Sequence, residues 1–444
     1  MTKDQPSVGA RTAAASRGVT VAQRLAGLAE SVIGGSLPIR IRAWDSSEAG
    51  PSSGPVLVLN SRRALRRLLY SPGELGLAEA YISGDIDVEG DLAVGLSTVW
   101  NAAKAGTLGR PKVSVLSWPG LALQVARLGV IGMRPPAPGQ AASLTGRRHS
   151  RARDRAAIAH HYDLSNDFYE LLLDKSMAYS SAYFVNGSGG DLAAAQNAKL
   201  DLICRKLGLG PGSKHLDVGC GWGSLICYAA EHFGTHSTGV TLSQQQYEYV
   251  SKRVAQAGLA DRVQVRLADY RELGAGADDG LYDAVSTIEM GEHVGDAEYP
   301  AFAGILHRVL RPGGRALVQQ MSRGENAPGG GAFIETYIAP DMHMKPLGTT
   351  ISLLGGAGLE VRDVHAMREH YDWTVSAWAD TLEQHWAQVV EMIGEVGARV
   401  WRLYLVGGAL AFAENRMGVD QILAVRPDGA GISSMEPSRR VWEQ

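Results

Sequence analysis

The chain reads as an α/β protein: a doubly wound, mostly parallel sheet preceded by a smaller α+β N-terminal domain. Three observations carry that expectation. From about residue 156 onward, strand-like and helix-like patterns alternate. A glycine-rich turn, HLDVGCGWGS (215–224), stands between a short apolar run and a helical pattern. Upstream, residues 21–103 mix short strands and helices before a stretch rich in Gly, Pro and Arg.

A length of 444 residues leaves room for two domains and a substantial core. Hydrophobic residues make up 45% and charged residues 20%, with a formal net charge of −3. That is ordinary globular composition and offers no general attraction to nucleic acid. Cys204, Cys220 and Cys227 form neither a metal-type CxxC pair nor a disulfide framework, which fits a reducing, cytoplasmic setting. Residues 1–20 lack the apolar core of a signal peptide and read as a disordered lead-in.

Ile39–Trp44 alternates as a half-buried strand, and PVLVLN (55–60) reads as a second. SRRALRRLLY (61–70) predicts a helix capped by Ser61, with Leu65, Leu68 and Leu69 on one face and Arg62, Arg63, Arg66 and Arg67 off it. A solvated basic face and a contact with anionic lipid both fit that pattern. Residues 104–150 have linker composition and lead into a second basic cluster, Arg147, Arg148, Arg151, Arg153 and Arg155. The apolar stretch from Val113 to Met133 is broken by Pro119, Arg127 and glycines, so it makes a poor spanning helix. A membrane would be met from the side. In the third region, 151–430, the expected strands are HLDV (215–218), TGVTL (238–242), VQVRLA (263–268), YDAVSTI (282–288) and RALVQQM (315–321), and 431–444 form a tail.

A strand followed by Gly219, Gly221 and Gly223 lets backbone amides approach a ligand at the carboxyl end of the first strand. A tight turn without a ligand is the plainer alternative. The spacing is G-x-G-x-G, not the G-x-G-x-x-G of a dinucleotide site. Asp217 at the strand end can order the loop or meet an ammonium group, and Asp269 after the third strand suits a hydrogen bond near an adenine. Together these favour S-adenosylmethionine over a dinucleotide.

Eight ordered motifs now carry a resemblance: HHYDLSNDFYELLLD (160–174), MAYSSAYF (177–184), AAAQNAKLDLICRKLGL (193–209), LDVGCGWGSL (216–225), GVTLSQQQ (239–246), DYREL (269–273), EMGEHVG (289–295) and REHYDWTVSAW (368–378). The sequence resembles the cyclopropane-fatty-acyl-phospholipid synthases, relatives of the mycolic acid cyclopropane synthases and of the methyltransferases that begin tuberculostearic acid synthesis. The likeness spans about residues 150–426. It implies a class I S-adenosylmethionine-dependent methyltransferase, Rossmann-like in fold, with residues 21–103 as an accessory domain. By resemblance, the cofactor contacts fall on Tyr179, Ser180, Gly219, Gly221, Thr241, Leu242, Gln246, Tyr270 and Arg271.

The implied reaction is methyl transfer to a cis-alkene, which is a weak nucleophile and needs positioning above all. A carbocation follows, and aromatic faces stabilise such a cation; Tyr162, Tyr179, Tyr183 and Phe184 are the candidates. The cation must then lose a proton. In the family a bound bicarbonate serves as base, and its pocket maps here onto Glu292, Tyr371 and the backbone amide of Met321. Two positions depart: the family's cysteine is Ser181 and its histidine is Gln319. Both still offer donors to an oxyanion, but glutamine cannot titrate. Beside Glu292, His293 has an open role, structural or catalytic.

The expected partners are unsaturated phospholipid acyl chains and an anionic membrane surface at the cytoplasmic face, with no nucleic acid; a homodimer is compatible with the sequence. The sequence leaves the product open between a cyclopropane ring and a methylene- or methyl-branched chain. The rival readings are a small-molecule amine methyltransferase and an inactive lipid-binding homologue.

Overall fold

The computed structural model describes residues 19–104, 128–139, 141, 144–162, 165–273, 276–324 and 329–438. Most of the 113–133 stretch, the lead-in and the last residues of the tail lie outside that set, as does the side chain of Tyr162. The chain divides into two compact units, residues 1–71 with 83–135, and residues 72–82 with 136–444. The helix Glu74–Ile82 lies within 21–103 in sequence but belongs to the larger unit, where it packs on the helices Ala332–Tyr337 and Trp386–Ala413.

The smaller unit holds a four-stranded sheet of β1 (Arg40–Arg42), β2 (Glu48–Ala49), β3 (Val56–Leu59) and β4 (Ile86–Glu89), in the order β2-β1-β3-β4. Its helix Arg63–Tyr70 keeps Leu65 and Leu68 half-buried and Arg62 and Arg63 exposed, as expected, but departs from the expectation at Arg67 and Leu69. Ala64 and Arg67 point inward, whereas Leu69 and Tyr70 are exposed. The cause is Asp85. Its buried carboxylate accepts from Ser61 Oγ (2.7 Å), Arg63 Nε (2.9 Å), Arg67 Nε (3.0 Å) and Ser83 Oγ (3.1 Å). Arg67 is thus drawn into the interior by its counter-charge. Ser61 accepts from Arg63 N at 3.2 Å, ahead of the helix rather than as its cap residue. Arg66 Nε donates to Val130 O (2.9 Å).

The larger unit is built on a seven-stranded sheet. Its strands are β5 (Lys214–Val218), β6 (His236–Thr241), β7 (Val263–Leu267), β8 (Tyr282–Ile288), β9 (Leu310–Ser322), β10 (Glu360–Ala366) and β11 (Gly418–Val425), ordered β10-β11-β9-β8-β5-β6-β7. β5 to β9 pair in parallel, and β11 runs antiparallel to both β9 and β10. The chain leaves β5 towards β6 and β7, then returns to place β8 on the other flank. That reversal opens a crevice at the carboxyl ends of β5 and β8. Under it, the neutral ring of His215 bridges Ser237 Oγ (3.2 Å) and Ser286 Oγ (2.8 Å), its pKa pushed down to about 3 by burial.

The helix Trp386–Ala413 is long and apolar enough to span a bilayer, yet Val389, Ala398, Trp401, Leu405 and Phe412 lie in the core and Gly394 breaks it (φ 75°, ψ 162°). It packs against Arg368–Gln384, and together they cover the aromatic core beside the crevice.

Candidate active site

The crevice is a cavity of about 1230 Å³ counted out to its mouth. Its floor is the glycine turn between β5 and the helix Ser224–Phe233. Gly219 has φ +86°, and a Cβ there would meet the Met290 side chain at 2.9 Å. Gly221 has φ +53°, and a Cβ there would meet nothing within 4 Å, because its open side is the cavity. The turn thus bares its backbone to a ligand. Asp217 lies beneath it, buried, accepting from Ser286 Oγ at 2.6 Å; burial lifts its pKa to about 6. It orders the strand end and lines the cavity.

At one side Thr241 Oγ1 donates to Gln246 Oε1 (2.8 Å) and accepts from Ser243 N (3.1 Å). With its oxygen thus engaged, Gln246 keeps a donor amide at the cavity wall beside Leu242. Tyr270 and Arg271 form the next wall. Arg271 crosses its neighbour's ring at 5.1 Å and ties down the helix Arg151–Tyr162 through Asp154 Oδ2 (2.5 Å) and the turn before it through His149 O (3.3 Å). Asp269 differs from the expectation. Its carboxylate turns to Arg271 N (2.9 Å) and Nε (2.8 Å), and it is not among the lining residues. It positions Arg271. Arg153, expected in a membrane-facing cluster, is paired with Asp341 at 2.5 Å.

The loop 177–184 brings Tyr179 and Ser180 to the wall. Tyr179 is buried against Trp378 (5.2 Å), Tyr169 (5.7 Å) and Trp401 (6.3 Å), with its hydroxyl 3.0 Å from that of Tyr404. Tyr183 and Phe184 instead face His370 (4.8 and 6.4 Å) and lie outside the cavity lining. Two residues unassigned from sequence hold the loop. Gln196 Nε2 donates to Ala178 O (3.2 Å) and Ser180 O (2.9 Å), and Lys199 Nζ donates to Ser180 Oγ (2.8 Å). Lys199 lines the cavity; burial lowers its pKa to about 8. Two polar residues three apart on an otherwise buried helix face are the signal that could have found them.

The carboxylate shell is arranged differently from the expectation. Tyr371 Oη donates to Glu289 Oε2 (2.5 Å), not to Glu292. Glu289 Oε1 also accepts from Gln319 Nε2 (2.9 Å) and from the backbone N of Ser181 (2.9 Å). The Ser181 hydroxyl turns away to Ala182 O (3.1 Å). Gln421 donates to Gln319 Oε1 (3.0 Å), which fixes the Gln319 amide with its NH2 towards Glu289. Met321 N donates to Glu292 Oε1 (2.5 Å), while Glu292 Oε2 is buried without a partner. Burial and the nearby Glu289 raise Glu292 to about 8. His293 lines the cavity as a neutral ring, pushed down to about 4 by burial.

Glu292, Tyr371, Gln319, Ser181 and Met321 all stand behind the wall, and Glu289 is the member of this shell that reaches the cavity. Of the donors expected to hold a bicarbonate, Tyr371, Gln319 and Met321 N are taken by the chain's own carboxylates and the Ser181 hydroxyl by a backbone carbonyl, so these residues do not fit an added anion. Among the described residues no group of His, Cys, Asp and Glu is placed to hold a metal.

A family model described as mycolic acid cyclopropane synthetase matches residues 149–422. The chain belongs to that family. A probable fatty acid methyltransferase of Mycobacterium tuberculosis is 38% identical over 92% of this chain and 96% of its own length. A tuberculostearic acid methyltransferase of the same organism is 31% identical over 88% of each. A crystal structure of a mycolic acid cyclopropane synthase complexed with SAH and CTAB is 31% identical, covers 61% of this chain and 97% of its own, and superposes with a TM-score of 0.57. As a member of the cyclopropane synthase family, the chain is an S-adenosylmethionine-dependent methyltransferase. The cavity fits that cofactor: the bared backbone at Gly221, the Gln246 amide and the Lys199 ammonium offer donors along its length.

Proposed function

We propose that this enzyme transfers the methyl group of S-adenosylmethionine to the cis double bond of an unsaturated phospholipid acyl chain at the inner face of the cell membrane, giving a methylene-branched chain. The observation that carries the reading is the position of Tyr179. Its ring belongs both to the cavity wall and to an aromatic cluster with Tyr169, Trp378 and Trp401. Desolvated ring faces beside the methyl donor stabilise a carbocation by ~0.5–2 kcal/mol each. The relatives matching nearly the whole chain are named as methyltransferases of fatty acids or tuberculostearic acid, which favours the branched product over the ring.

The test supplies labelled S-adenosylmethionine with vesicles of unsaturated phospholipid, vesicles of saturated phospholipid, or free amines. Label should enter only the unsaturated acyl chains, and proton NMR of the released fatty acid should show an exocyclic methylene. Label in the amines, or none in any acyl chain from protein that still binds S-adenosylhomocysteine, would overturn the substrate. Ring protons alone would overturn the product.

A further inference from the structure

Glu289 is unusual in three independent ways. It is a non-glycine residue with φ 53° at the carboxyl end of β8, a costly conformation for a residue with a side chain. Its carboxylate collects three donors, from Tyr371, Gln319 and the Ser181 backbone. It also faces the same cavity as Tyr179 and the glycine turn.

A second acid stands three residues on. Glu292 has one donor on one oxygen and none on the other. Two buried carboxylates this near cannot both ionise freely, and the one with more donors keeps its charge. Burial raises Glu289 as well, and its three donors and the Lys199 ammonium oppose that rise. The arrangement therefore leaves Glu289 charged and Glu292 neutral.

We propose that Glu289 is the built-in base of this site, its own carboxylate standing where an added anion would otherwise be held. This rests on the reaction proposed above. The alkene π pair forms the bond to the methyl carbon as the sulfonium C–S pair returns to sulfur. The adjacent carbon is left cationic. A 1,2-hydride shift moves the charge to the methyl-bearing carbon. Glu289 then takes a proton from the new methyl group, and the C–H pair becomes the exocyclic double bond. If ring closure replaces the hydride shift, the same proton goes to the same carboxylate and the C–H pair closes the ring. Either way Glu289 ends as the acid and returns its proton to solvent after product leaves.

The deciding variant is Glu289→Gly. Glycine accepts the φ of 53° found here without strain, so the turn should fold. The substitution frees the three donors around a void of carboxylate size. Wild type should turn over equally in buffer stripped of bicarbonate and in buffer containing it. Glu289→Gly should lose at least ~10²-fold in kcat, as for a removed general base, with bicarbonate or formate restoring part of it. Glu289→Gln fills the same space without a base, so it should be equally slow and not rescued. A readout free of turnover runs beside these: ¹³C-bicarbonate should bind Glu289→Gly by NMR and not the wild type. Bicarbonate-dependent wild-type turnover, bicarbonate bound by wild type at this site, or undiminished Glu289→Gly would each overturn the proposal. Absence of acyl methylation by wild type would instead strike the proposed substrate, and the binding experiment would still decide whether Glu289 fills the anion position.

Discussion

Glu292→Gln separates the two acids by their effect on stability. In the folded protein Glu292 holds its proton up to about pH 8, against an ordinary value of 4.5. A raised folded pKa means that stability is fully present below the unfolded value and is lost as pH rises through the folded one. The window is therefore pH 4.5 to 8. Across it, at about 1.4 kcal/mol per pH unit, the loss reaches an upper value of about 5 kcal/mol above pH 8. Glutamine keeps an oxygen for Met321 N and never ionises, so it should remove this dependence. Urea unfolding of both proteins at pH 5.5, 7.0 and 8.5 reads it directly. Other groups, His215 and Asp217 among them, titrate alike in both proteins and cancel in the difference. Relative to wild type, the variant should gain stability with each step up in pH, while its kcat stays within ~10-fold, far short of the loss of a general base. A stability difference that does not vary with pH would show that Glu292 is ionised in the fold, and the division of roles between the two acids would fail.

Other parts of the molecule give three further expected outcomes. Gly221→Val places a branched side chain at φ +53° on the open floor of the cavity. Calorimetry should then show S-adenosylhomocysteine binding weakened at least ~10-fold, which is about 1.4 kcal/mol. Lys199→Met removes a buried ammonium whose field holds down both Asp217 and Glu289; the acidic limb of the kcat/KM profile should move to higher pH, and an unmoved limb would remove Lys199 from the site's electrostatics. Arg67→Ala strips a counter-charge from buried Asp85. Because Arg63, Ser61 and Ser83 still serve Asp85, chemical unfolding of the smaller unit should show a loss of roughly 1.5–3 kcal/mol, whereas removal of a solvated basic residue would cost almost none.

The parallel half of the sheet was legible because each strand is a short apolar run ended by a turn signal. β10 and β11 were not legible. EVRDVHA carries a buried Asp363 paired with Lys206 at 3.3 Å. GVDQILAV buries Asp420 on Ser322 and Gln421 on Gln319. The apolar pattern is broken where polar groups are satisfied inside. Arg67 was misplaced for the same reason: its charge suggests solvent until Asp85, eighteen residues later, is known to lie beneath it. The glycine turn and its flanking walls line one cavity, a placement legible because backbone freedom is written in residue type. Asp269 and Ser181 illustrate the limit. Spacing placed them near the site, but which atom faces it depends on neighbours distant in sequence.

The spacing of EMGEHVG sets the two acids apart. Glu289 ends β8 in a left-handed turn, and Glu292 lies in the 3-10 turn Gly291–His293 that follows. The reversal aims the first acid at the cavity and the second at the backbone of β9. Donors then arrive unequally: three on Glu289 from the 177–184 loop, β9 and the Arg368–Gln384 helix, and one on Glu292. Chemically identical groups three residues apart thereby take opposite protonation states. A base is useful to a carbocation only while ionised, and a second ionised acid at that depth would raise the first by repulsion and claim its proton in part. Keeping Glu292 neutral is what leaves Glu289 free to take a proton from the substrate.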